Sequence, residues 1–495
     1  MSHRRRALLF LALVVSPLAA TQETHVHDVP AKLGTVSFPI SCRSPVRPEF
    51  NRAVALLHSF AYDAAEDAFR EVAAQDPRCA MAHWGIAMTH FHQLWEPPIP
   101  PAAAPAAKSE IEKALSVGRG TERERTFIHA ASLMFLDPSL PYPTRARNYE
   151  RAMSDLASEN KQDVETQVFY ALALLANASP TDKTHERQKE AADILEPLFR
   201  AYPEHPAIPH YLIHAYDNAE LAARGLPAAK AYSRIAPSAP HALHMPSHIF
   251  TRLGRWEDSI SSNLAARDAA HRAGDTGEEL HAMDYLVYAY LQSGRDPDAA
   301  QVIRELKAMP NLNPGDFKIG YASTAMPIRY LVERHQWAEA AAINPPADAP
   351  PHVIAIAVWA RGLGLARSGH SADTPAQIEA LHRMEEQLQA SGNLYWATHV
   401  RVMRREVAAW SAYAENRDDE SVALLRQAAD EEDSVEKLPV TPGAIKPARE
   451  QLGELLLEQN HPEQAAYEFQ TALVNAPGRR GATQGLAEAS QRLSK

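Results

Sequence analysis

Residues 452–477 read LGELLLEQNHPEQAAYEFQTALVNAP. Leu452 and Leu456 lie four apart, and so do Ala465 and Phe469, with Ala472 three further on. That spacing is the signature of two helices, each with one apolar face. Asn460 stands at the turn between them. The small alanines let the two helices approach closely, and Phe469 fills the groove they leave. Pro477 closes the second helix, because proline has no N–H with which to continue the ladder. The same offsets recur near the start of the chain at Ala65, Phe69, Val72 and Pro77, with Phe60 at the turn. The chain is therefore read as a repeated helix-turn-helix hairpin.

This is the spacing of the 34-residue tetratricopeptide (TPR) unit, with Arg449 where the pattern usually has Trp and Leu456 where it has Tyr. Looser corners fall at Gly254 with Trp256, at Gly294 with Ala299, at His335 with Trp337 and Ala340, and at Gly369. Counting back from them predicts first helices starting near Pro206, Pro240, Leu280, Tyr321 and Ala355. The fold class expected is all-α, a TPR-like helix-turn-helix solenoid, in which each repeat packs only on its neighbours. Such a stack escapes the size limit of a single globular core, which 495 residues would exceed. The predicted organisation is a signal peptide at 1–20, an extended N-terminal segment at 21–45 and a TPR-like solenoid at 46–343. A Pro-rich linker at 344–351 follows, then further repeats and a capping helix at 352–495. Trp95 to Ala107 reads as a second Pro/Ala-rich linker.

The stretches LLHSFAYDAAEDAF (56–69), CAMAHWGIAM (79–88) and HALHMPSHIFTRLGRW (241–256) resemble those of a bacterial family of exported TPR proteins. The resemblance spans most of the mature chain. It implies the repeat fold and export, and it carries no assigned reaction.

Charge and composition narrow the field. The net charge is -11, and no Lys/Arg cluster occurs beyond the extreme N-terminus, so a nucleic-acid partner is not expected. Apolar residues make up 45% and charged ones 22%, which excludes a disordered chain and a membrane bundle. Arg4, Arg5 and Arg6, then the apolar run Ala7 to Val15, then Ala19 and Ala20, have the order of a secretory signal. The apolar run is too short to span a bilayer. The expected location is periplasmic or secreted, with no membrane span after cleavage. Cys42 and Cys79 are the only cysteines; in an exported protein they form a candidate disulfide, and two separate buried thiols are the other reading. The closed loop would contribute roughly 3–4 kcal/mol in the chain-entropy account.

The sequence shows no G-x-S-x-G, P-loop, G-x-G-x-x-G, H-E-x-x-H or C-x-x-C. What it has is histidine, 23 in all, clustered in three successive repeats. His210, His214 and Asp217 come first, then His241, His244 and His248, then His281 and Asp284. Residues three, four and seven apart share a helix face. In the repeat frame His210 and His244 occupy position 5, with Asp284, while His214 and His248 occupy position 9. His241 and His281 occupy position 2, and Asp217 position 12. In TPR proteins these positions line the concave groove. First helices of adjacent repeats lie about 8–10 Å apart, so imidazoles from neighbours can share an ion. His and carboxylate ligands suit Zn, Fe, Mn or Cu. Pro246 complicates the register: if a helix begins there, His241 and His244 fall on a loop. Elsewhere, His83 and His90 fall at packing positions, His58 and His92 at groove position 13, and His25, His27 and Asp28 follow the cleavage site.

Three functions follow from this reading. The first is an exported scaffold whose His/Asp-lined groove binds a peptide or protein partner. The second is a metal-dependent enzyme, hydrolytic or oxygen-using, with the ion held by the groove histidines. The third is a metal carrier. The affinity of neutral imidazoles for an ion would fall as pH drops through about 6.5.

Overall fold

The structure, a computed structural model, describes residues 32–94, 99–100 and 102–494. The signal peptide at 1–20, the His25–Asp28 segment and Trp95 lie outside the described residues. Among the described residues there are twenty-four α-helices, three short 3-10 turns and no strand. No helix among them is long and apolar enough to cross a membrane.

The helices pair as the sequence pattern requires. Arg47–His58 packs against Tyr62–Gln75, and Ala448–Glu458 against Pro462–Asn475. Each helix packs on its neighbours in the chain, and first helices also touch the first helices of adjacent hairpins. The left-handed residue that reverses the chain falls at Phe60, Gly254, Gly294, His335, Gly369 and Asn460, the corners expected from sequence.

Three first helices begin a full turn earlier than the repeat frame predicts, at Thr276, Phe317 and Pro351. Local capping explains the extension. Asp275 accepts the N–H of Glu278, Asp316 accepts those of Lys318 and Ile319, and Pro351 starts a helix readily because its missing N–H would be unpaired there. Pro246 breaks the ladder without ending the helix. Pro240–His244 and Pro246–Arg252 follow one another through Met245, itself in helical conformation (φ -52°, ψ -35°). His241, His244 and His248 therefore all stand on helical backbone.

Two segments of the chain cover the face formed by the first helices. The N-terminal stretch from Lys32 runs along it without regular structure, with Thr35 N–H donating to Glu204 O at 2.8 Å. Its Phe38 is 3% exposed, and its ring meets Phe50, Trp84, Phe127 and Phe169 from four successive first helices at 5.2–6.4 Å. Burial of that ring contributes about 2 kcal/mol. Cys42, a few residues on, is joined to Cys79 by a disulfide, Cα to Cα 5.0 Å. The second segment, 434–447, crosses the later repeats. Tyr285 donates to Thr441 O, Arg329 donates to Ala444 O, and Lys437 pairs with Asp217. The main apolar core gathers residues from Leu33 to Ala489, and a second cluster, from Ile260 to Met326, packs separately within the middle repeats.

The array also turns back on itself. Trp256 Nε1 donates to Gly478 O, and Arg480 pairs with Asp296. Arg479 is fully buried and pairs with Glu333 and Glu450.

Candidate metal centre

The helix Ala207–Tyr216 carries His210 and His214, one turn apart on a single face. The kinked pair Pro240–His244 and Pro246–Arg252 brings His241, His244 and His248, and the helix Thr276–Gln292 brings His281. Stacking these three first helices side by side sorts the six imidazoles into two trios. In one, ligand atoms of His210, His214 and His241 lie within 4.8 Å of one another, and in the other those of His244, His248 and His281 do. The trios abut, with His214 and His248 ring centroids 6.1 Å apart and those of His241 and His244 6.2 Å apart.

The nitrogens are aimed with care. His210 Nε2 lies 3.2 Å from His241 Nε2 and 3.2 Å from His214 Nε2, and His244 Nε2 lies 3.0 Å from His248 Nε2. In four of these rings the other nitrogen is bound to an oxygen that can only accept. His210 Nδ1 donates to the backbone carbonyl of His58, and His241 Nδ1 to the Glu278 carboxylate. His248 Nδ1 donates to the Asp217 carboxylate. His244 Nδ1 donates to Asn263 Oδ1, whose amide nitrogen is turned to Ser259 O and is thereby identified. A neutral imidazole has one N–H, and here it is used at Nδ1. Each Nε2 therefore presents a lone pair, and the lone pairs face one another.

Five of the six rings are held neutral. Burial, then repulsion from neighbouring imidazoles, pushes His210, His214, His244 and His281 well below the usual histidine range. Burial outweighs the attraction of Asp217 and pushes His248 down to about 4. The carboxylates behind the rings are held ionised. Burial opposes the charge on Asp217 and Glu278, but Lys437 and Arg252 beside the first, and Lys318 and His241 beside the second, keep both well below the ordinary carboxylate range. Carboxylate–imidazole pairs of this kind orient metal-binding histidines and raise their basicity.

The eight sequence candidates thus divide. His210, His214, His241, His244, His248 and His281 come together. Asp217 backs His248 from Nδ1 and sits on Arg252 and Lys437, outside the trios. Asp284 is not brought to them: it is buried against Arg329, 3.7 Å from Nε, and burial pushes its carboxyl up to about 6. The trios are also not an open groove surface. His210, His241, His244, His248 and His281 are at most 3% exposed, because neighbouring helices and the 434–447 segment cover them; His214 alone is partly open.

Two more sequence expectations change. His58, placed at a groove position, is fully buried and lies between Glu165 and Tyr211. His83, placed in the core, is partly exposed and bonds Glu110. His58, Glu165 and His205 form a third cluster of possible ligand atoms, but there each imidazole Nε2 points at a carboxylate oxygen at 2.9 Å, a geometry that ordinary hydrogen bonds satisfy. Sequence reasoning missed Glu278, Asn263 and Glu165. Only Glu278 carried a signal, since it precedes His281 by three residues on one helix.

No protein-family model matches the chain, and comparison with curated proteins gives no match. Among solved structures, the chain is similar to the Cut9–Hcn1 hetero-tetramer of APC/C at 11% identity, covering 90% of this chain and 76% of that one with a TM-score of 0.36. It is similar to the TPR domain of P58(IPK) at 12% identity over 91% and 99%, TM-score 0.23. Yeast Tom70 matches at 10% identity over 90% and 88%, TM-score 0.35. The all-α helical-repeat fold rests on the hairpins and their corners described above.

Proposed function

We propose that this protein is a metal-dependent enzyme built on a TPR-like solenoid, with one transition-metal ion on each histidine trio. The observation that carries the reading is the set of facing Nε2 atoms whose Nδ1 partners fix the lone pairs inward. Two such lone pairs repel at 3.2 Å between His210 and His241 and at 3.0 Å between His244 and His248. An ion about 2.0–2.1 Å from each nitrogen turns that repulsion into coordination, and a tetrahedral or octahedral centre spaces its nitrogens at about that separation. Three imidazoles leave each ion an open position, the arrangement of catalytic rather than closed structural sites. An all-imidazole set suits Zn, Cu, Fe or Ni better than Mn, which prefers oxygen ligands. The ion would supply a Lewis acid and an ionised water, or bind dioxygen if it is redox-active. The residues of this chain orient the imidazoles through Asp217, Glu278 and Asn263 and exclude bulk water. A peptide scaffold using the same histidines would need them exposed. Export belongs to the same proposal, and a Cys42–Cys79 bridge suits an oxidising compartment.

Elemental analysis of unchelated protein tests it. Two ions per chain are expected. His214→Ala and His248→Ala should each remove about one, from different trios, whereas His129→Ala, at an exposed position, should remove none. A metal content at background, or an equal loss in His129→Ala, defeats the metal reading. Two bound ions without turnover of esters, phosphates or dioxygen would make the protein a carrier.

A further inference from the structure

A second cavity, of about 180 Å³, lies between the helices of the C-terminal repeats and the 434–447 segment. The helix Leu394–Ala414 supplies one wall. Tyr395, His399, Val402, Met403 and Glu406 recur three and four apart along it, so the helix turns a single stripe toward the space. Trp396 and Trp359 complete an aromatic lining. The Tyr395 and Trp396 rings stand at 83° to each other with centroids 5.1 Å apart, forming a corner with two π faces.

The charges around the cavity are unevenly matched. Each cation in its wall already has a carboxylate. Lys183 and Arg252 share Glu436, Lys437 pairs with Asp217, Lys446 with Glu454, and Arg449 with Asp433 and Glu468. Two carboxylates in the wall are held by neutral donors instead. Glu406, 2% exposed, accepts from the Trp359 indole N–H and the Gln451 amide. Glu432 accepts the backbone N–H of Ala448 at 2.8 Å. Burial first, then their mutual repulsion in the case of Glu406, raises both: Glu432 to about 7 and Glu406 well above the ordinary range. A third polar group, His399 Nε2, is buried in the same wall with no hydrogen-bond partner. Burial pushes this ring down to about 4, so it stays neutral and can accept a proton donor.

We propose that this cavity binds a protonated organic amine, with the ammonium at Glu406 and Glu432 and the rest of the molecule along the wall formed by Trp359, Tyr395, Trp396 and His399. An ammonium supplies N–H donors and a positive charge to the two carboxyl groups, and it is attracted to the faces of aromatic rings. An anion would meet Glu406 and Glu432 with no unpaired cation to hold it. A neutral apolar ligand would leave the His399 imidazole unsatisfied and would gain nothing from the two carboxyl groups.

Titration calorimetry with benzylamine, protonated at neutral pH, and benzyl alcohol, its neutral near-isostere, tests this. Benzylammonium should bind at least tenfold more tightly than the alcohol. Glu432→Gln, a near-isosteric change at a partly exposed position, should erase most of that preference, and Glu406→Gln should do the same where circular dichroism shows it folded. Both variants should keep the metal content of the parent, since neither residue touches the histidine trios. Equal binding of the two probes, no binding of either, or an unchanged preference in Glu432→Gln overturns the proposal.

Discussion

His352 is 8% exposed and stacks on Trp396 with ring centroids 4.6 Å apart, and burial pushes its imidazole down to about 4. An unfolded histidine titrates near 6.5. The unfolded chain therefore binds the extra proton first as pH falls. The stabilisation is fully present above about 6.5 and is lost as pH falls toward 4. The shift corresponds to about 3 kcal/mol. His352→Phe keeps a ring against Trp396 and removes the titration, so the drop in melting temperature between pH 7 and pH 4.5 should be smaller than in the parent; an unchanged drop would show that other groups carry it. At this scale the sequence was informative about histidine and poor about its partners. Spacing by three and four singled out six imidazoles that the fold gathers into two trios, because helical periodicity is local. It said nothing of Asn263 behind His244, and it offered Asp284 as a ligand although Arg329, 45 positions later, holds that carboxylate.

The hairpin has its own test. A Cβ on Gly85 would sit 2.4 Å from the Phe69 ring, and one on Gly485 would sit 2.2 Å from the Phe469 ring. The interval from Phe to Gly is the same in both repeats, so the close approach belongs to the unit and not to one site. Gly85→Ala should destabilise the protein by about 1–3 kcal/mol through overpacking. Gly277→Ala, where the nearest contact would be an ordinary 3.4 Å, should be neutral or slightly stabilising. Calorimetric melting of the two variants checks the contrast, and equal melting temperatures would refute it. Elements of this kind were legible because Phe, Gly and the corner residues act within one or two helices. Helix starts at Thr276, Phe317 and Pro351 were not, because Asp275, Asp316 and Pro351 extend the helices beyond the repeat frame. The two segments laid over the first helices were illegible for another reason. Phe38 packs on Phe169, and Lys437 on Asp217, across separations that no local pattern encodes.

For the molecule as a whole, the closing contact around Arg479 matters most. Its guanidinium is fully buried between Glu333 and Glu450 and joins the C-terminal hairpin to the middle repeats. Arg479→Ala would leave two buried carboxylates short of a partner and should cost about 3–5 kcal/mol, read as a lower midpoint in urea. A loss below about 1 kcal/mol would mean the carboxylates relax to water and the array is effectively open. Covering the histidine trios from so far along the chain has a consequence in time. Lys437 follows Asp217 by 220 positions. His281, the last of the six histidines, precedes Lys437 by 156 positions, so at about 5–20 residues per second a chain folding as it is made holds its complete histidine set for roughly 8–30 s before the covering segment exists. On the metal reading proposed above, an ion would reach the imidazoles during that interval without displacing anything, and the later arrival of 434–447 would close behind it. Loading before completion and loading after it would then be different events, with a fast uncovered route available once in the life of each molecule.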